Sequence, residues 1–163
     1  MRSLRRHQLM RALVSGCVAT AAYTAASSLL RHRHGGAHAG EGAAAPVDRP
    51  AAVAAELTGG REPRRERRVL VDTAVHWGYG IMCGLARPLL ENGEVRGWRA
   101  DAAHLAVVWL PWRALLVVRD LRRGTPLPEP RVLTRELVKH GVYVLVAGRV
   151  YDLLDRDTDA PGG

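Results

Sequence analysis

From Ala12 to Leu30 nineteen residues pass without a charge, and that run limits the fold more than any other feature of the chain. At about 1.5 Å per residue a helix of this length reaches roughly 28 Å, close to the hydrocarbon thickness of a bilayer. The run predicts a membrane-spanning helix over 12–30, preceded by a basic arm from Met1 to Arg11. Gly16, Thr20, Thr24 and Ser28 recur at every fourth position. One face is therefore a small, weakly polar strip against which another helix can pack closely. A basic region followed by an Ala-rich apolar one also describes a cleaved export signal. Arg5-Arg6 with Leu9 and Met10 approximates the twin-arginine kind, although Gln8 stands where that signal wants an apolar residue. Val14-Ser15-Gly16-Cys17 fits a lipobox only loosely, because Arg11 interrupts the apolar stretch before it. Length and flanks favour a retained helix.

Three more apolar runs follow, over 69–90, 102–118 and 135–154. Together the four predict an all-α fold, an integral membrane bundle of about four transmembrane helices in a single domain over 1–163. The third run has the weakest claim to span, since Pro111 and Arg113 lie inside it. A central Arg costs about 3 kcal/mol on the insertion scale, and the Leu and Val residues around it return roughly 2.5 to 5 kcal/mol. Trp109 and Trp112 beside that Arg suit an interface, so this helix is expected to be tilted or short. The first loop, 31–68, holds a segment over 50–57 that begins on Pro50 and stops at Gly59-Gly60. It reads as a short amphipathic surface helix. Residues 155–163 are expected to be a disordered polar tail.

The formal charge of +8 and pI of about 10.6 raise nucleic acid as a partner. The placement of the charge argues against it. Lys139 is the one lysine, and the arginines sit mostly at the ends of apolar runs rather than along one stripe. Bilayer-spanning segments require such flanks. Arg64, Arg65, Arg67 and Arg68, directly before the second run, would be drawn to anionic lipid headgroups. The arginines of the N-terminal arm oppose those of the first and third loops, so the positive-inside rule leaves the orientation open. Although 47% of residues are apolar there is no Phe, a thin supply of bulky core for a soluble protein and less of a shortage in lipid. His32, His34 and His38 are close enough to hold a metal weakly, but no nearby carboxylate or Cys completes a site. Cys17 and Cys83 lie in different runs and suggest no disulfide framework.

The second run is partly written again 64 residues later: His76 falls on His140, Tyr79 on Tyr143, Gly84 on Gly148 and Leu89 on Leu153. The echo predicts two equivalent helices in one bundle. Gly80 and Gly84 form GxxxG, a packing face within an apolar run, with His76 one turn back. His76, Tyr79, Gly80, Gly84, His140, Tyr143 and Gly148 are accordingly assigned to helix packing or a polar core. Arg149 and Asp152, three apart, can pair on one helix face as an intramembrane ion pair. Asp72, Glu91 and Asp152 read as lone carboxylates at helix ends. No Ser/His/Asp arrangement, phosphate-binding Gly loop or HExxH occurs in the sequence, so neither an enzyme nor a cofactor is expected.

In layout the chain resembles the YagU-like family of small bacterial inner-membrane proteins, whose function is largely uncharacterised. The likeness rests on a Gly/Thr-rich first helix, the Pro-led segment of the first loop, and H-x-x-Y-G-x-x-x-G at His76, Tyr79, Gly80 and Gly84. A second H-x-x-Y-x-x-x-x-G stands at His140, Tyr143 and Gly148. Val144 departs from the Gly expected after the second Tyr, and Arg113 from the expected third helix. The resemblance implies a multi-pass protein of the bacterial cytoplasmic membrane, structural or auxiliary in the envelope, and its small-residue faces could also serve a homo-oligomer. A proton or small-solute transport component using the helix His and Tyr residues is the alternative. Bis-His haem ligation by His76 and His140 is a distant third reading.

Overall fold

The structure, a computed structural model, describes residues 5–34, 50–61, 64–126 and 128–159. The described residues form six helices: α1 (Arg6–His34), α2 (Pro50–Leu57), α3 (Arg65–Cys83), α4 (Ala86–Asn92), α5 (Trp98–Arg123) and α6 (Pro130–Asp159). No strand occurs among the described residues. Among the described residues three stretches are long and apolar enough to cross a membrane: Arg6–Leu30, Arg65–Asn92 and Trp98–Arg123.

The ranking of the last two runs is the reverse of the sequence expectation. α5 continues through Pro111 from Trp98 to Arg123 and qualifies as a span. α6 does not, because Arg131, Arg135, Glu136, Lys139, Arg149, Asp152 and Asp155 leave no sufficiently apolar window. α6 also runs on to Asp159, so the expected tail is helical over its first part. The second run is not one rod. Gly84 and Leu85 donate to Ile81 and Met82 at 3.1 and 3.0 Å, a tightened turn that ends α3 before α4 begins. Pro88 explains the interruption: it has no N–H to return to the Gly84 carbonyl, and its ring crowds that oxygen.

The chain forms two compact units, residues 1–26 with 80–163, and residues 27–79. In the first, α1 buries Ala12, Ser15, Gly16, Ala19 and Thr20 while Leu13, Val14 and Val18 stay exposed. The Ser15, Thr20 and Thr24 hydroxyls donate to their own helix, to the carbonyls of Ala12, Gly16 and Thr20 at 3.0, 2.7 and 2.8 Å, which satisfies them inside a packed strip. That strip meets the end of α3 at backbone distance. A Cβ added to Gly16 would lie 2.7 Å from the Ile81 carbonyl oxygen, one on Gly80 would strike Thr20, and one on Gly84 would strike the Ala12 carbonyl. The core beyond is small: Ala19, Val108, Tyr143, Val144 and Ala147, flanked by Tyr23, Cys83, Leu105 and Val146.

In the second unit α2 leans on the first half of α3. Asp72 Oδ1 accepts the Ala51 N–H at 2.9 Å, supplying from another helix the cap that α2's own sequence lacks. α2 ends in a Schellman turn, with Gly60 N–H donating to Ala55 and Gly59 N–H to Glu56, and Gly59 at φ +65°.

Candidate functional site

The densest chemistry lies at one end of the first unit, where buried cations are threaded between helices. Arg87 and Arg11 are 8% and 7% exposed, a burial that requires partners. Arg87 sits one turn beyond the Gly84 break, so α4 aims it inward. Its Nη1 donates to Asp101 Oδ1 of α5 at 2.6 Å, and its Nη2 lies 3.8 Å from Asp152 Oδ2 of α6. Gly148 makes room for it: a Cβ there would stand 2.8 Å from Arg87 Nη2 and 3.0 Å from its Cζ. Arg11 of α1 pairs with Asp155 and rests over the Tyr151 ring, 4.9 Å from its centroid. Tyr151 in turn donates its hydroxyl to Glu91 Oε2 at 3.0 Å.

His104 lies one turn from Asp101 on α5 and is fully buried. Its Nε2 is 3.0 Å from the Cys83 carbonyl oxygen, and its ring meets Tyr143 edge-on with centroids 5.9 Å apart. A carbonyl only accepts, so Nε2 carries the hydrogen and Nδ1 is the bare nitrogen. That nitrogen is buried and has no partner among the described residues. The cluster thus joins α1, α4, α5 and α6 through two charges matched by carboxylates and one neutral imidazole. Among the described residues no group of three His, Cys, Asp or Glu side chains comes together to hold a metal. His38, named above for weak metal binding, lies outside the described residues.

The residues singled out by the repeat are not equivalent. Tyr143 is buried and donates its hydroxyl to the Gly80 carbonyl at 2.5 Å, whereas Tyr79 is 43% exposed. His140 Nδ1 lies 2.7 Å from the Glu136 carbonyl, with its ring edge-on to Tyr23 at 5.1 Å. His76 and Tyr79 fall in the second unit, where His76 meets the ring of its neighbour Trp77. Gly84 admits a helix backbone and Gly148 admits a guanidinium. The expected equivalence is therefore corrected: the same letters face different surroundings, because α3 ends at Cys83, inside its copy, whereas α6 runs on through its own. The expected Arg149–Asp152 pair is corrected too. Asp152 turns to the buried Arg87, and Arg149 is exposed. A buried cation has more to gain from a carboxylate than an exposed one does.

Sequence reasoning passed over His104, Asp101, Arg11 and Tyr151. The available signal was a His inside an apolar run, since ionisable residues within such runs face the interior. No family model, curated protein or solved structure matches this chain.

Proposed function

We propose that the chain is a multi-pass protein of the bacterial cytoplasmic membrane with a structural or auxiliary role in the envelope, of the YagU-like kind. The observation that carries this reading is its reversed polarity. The buried set includes Arg11, Ser15, Thr20, Arg87, His104 and Arg119, while Val18, Leu29, Leu70, Met82, Leu110 and Leu121 are 43–69% exposed. Only 22%, 17% and 17% of an apolar 18-residue window in each of the three long stretches is buried within the chain. In water such surfaces would drive aggregation; in hydrocarbon they are solvated, and the polar groups belong inside. In this reading α6 is a fourth membrane helix, and its Asp152 turns to the buried Arg87 of α4. α2 is an amphipathic helix at the interface, with the arginines before α3 facing anionic headgroups. This reading includes contact with a second copy and no nucleic acid.

Membrane fractionation tests it. The intact protein should stay with the membranes after high-salt and carbonate washes, and recovery as a folded monomer from a detergent-free cytosolic extract refutes the reading. One observation favours a second reading, proton or small-solute transport: the buried His104 with its bare nitrogen beside the Arg87–Asp101 pair. Proteoliposomes should then show a flux that His104→Ala, His76→Ala or His140→Ala lowers. Absence of flux, or flux unchanged in all three variants, disposes of it.

A further inference from the structure

The second unit carries a shallow, largely open depression that the reading above leaves unused. It has a volume of about 230 Å³ and is lined by Ala51, Ala54, Ala55, Thr58, Gly60, Arg61 and Val71. Four of these, Ala51, Ala54, Ala55 and Thr58, follow i, i+3, i+4, i+7 and form one face of α2. The wall is methyl groups and backbone. Thr58 has its hydroxyl turned back to the Ala54 carbonyl at 2.9 Å, so it presents its methyl as well. Arg61 is the one charged lining residue, and it is exposed. Beyond it Arg64, Arg65 and Arg67 are exposed on the approach to α3 and its first turn, followed at once by exposed Val69 and Leu70.

The geometry points to a seat for one anionic phospholipid, its phosphate at Arg61 and the upper part of one acyl chain along the Ala face of α2. This rests on the membrane reading and deepens it. Because the stretch Arg65–Asn92 is long and apolar enough to cross a bilayer, its arginine-led start stands at headgroup level in the membrane reading. The switch from cations to Val69 and Leu70 matches the switch from phosphate to hydrocarbon in a lipid. An apolar furrow with a cation at one end selects a molecule that is apolar with an anion at one end. The Asp72 cap and the Schellman turn fix both ends of α2, so the furrow is formed before any lipid arrives.

The test uses the full chain in mild detergent and native mass spectrometry after adding phosphatidylglycerol or phosphatidylcholine. One phosphatidylglycerol should be retained per chain, about tenfold in preference to phosphatidylcholine. Arg61→Gln should lower that retention at least threefold by removing the cation. Ala54→Leu should do so by filling the furrow, with circular dichroism showing that its helix content is kept. Arg149→Gln removes an exposed cation of α6 and should change nothing. Equal retention of the two lipids overturns the proposal, as does an equal loss in Arg149→Gln, which would mark nonspecific charge attraction. Displacement by glycerol phosphate alone also overturns it, because the seat would then be for free phosphate rather than lipid. The two readings fail separately: a protein that stays in carbonate-washed membranes yet shows no lipid preference sinks the seat and leaves the membrane reading standing.

Discussion

Replacing Gly16 by Ala is the sharpest trial of the packing between α1 and the end of α3. The added Cβ would lie 2.7 Å from the Ile81 carbonyl oxygen, 3.0 Å from Ile81 Cα and 3.2 Å from the Gly80 carbonyl oxygen. Ordinary contact begins at 3.4 Å, so the two helices must part by about 0.7 Å. All three neighbours are backbone and cannot swing aside. Overpacking of this kind costs about 1–3 kcal/mol, set against about 1 kcal/mol that Ala gains over Gly inside a helix. Gly141→Ala isolates the difference. Gly141 is also within a helix, α6, and nothing lies within 4 Å of its would-be Cβ. Both variants gain the same propensity, and only Gly16→Ala meets the clash. The gap between them should be about 1–3 kcal/mol, or roughly 2–12 °C in thermal midpoint for a chain of this size. Thermal unfolding of the two purified proteins in one detergent, followed by circular dichroism, reads it. If Gly16→Ala melts with or above Gly141→Ala, the close approach of the two backbones is refuted.

The ion pairs rank by burial: Arg87→Met should cost about 3 kcal/mol by leaving Asp101 without its cation, and Asp152→Asn, at a side chain 48% exposed and 3.8 Å away, less than about 1 kcal/mol. The same melts check this, and equal effects would contradict the assigned partners. Tyr143→Phe removes the donor to the Gly80 carbonyl and should lower stability by about 1 kcal/mol; Tyr79→Phe, at the exposed copy, should change it far less. Asp72→Ala takes away the cap on α2 at a cost of about 0.5–2 kcal/mol. Hydrogen exchange should quicken at the Ala51 to Ala55 amides while α6 is unaffected, and unchanged exchange in α2 would count against the cap.

What the sequence reveals of this fold is what repeats along a single helix. The four-residue spacing of Gly16 and Thr20, and of Gly80 and Gly84, marks faces that can approach closely, and the structure brings those faces together. Pro50 and Gly59-Gly60 bracket α2 because turn chemistry is local. The ionic cluster is different in kind. Arg87 and Asp101 lie on two helices joined by a turn, and Arg11 and Asp155 are separated by nearly the whole chain. Reasoning by i, i+3 spacing sees only partners on the same helix, so it matched Asp152 with Arg149 rather than with Arg87. The repeat misled in a related way. It drew attention to His76 and His140 and away from His104, which no second copy advertises and which is the histidine the fold buries completely. The helix break was legible in Pro88 but was outweighed by the apolar run around it.

Gly148 does more than make room for a cation. With a guanidinium lodged in its notch, α6 has a preferred axial setting against α4. A slip of one residue either way would bring Ala147 or Arg149 to that position and drive a Cβ into the space that Arg87 fills. Smooth apolar rods in a bilayer can glide past one another with little penalty; here a single missing methyl group indexes the pair like a pin in a slot.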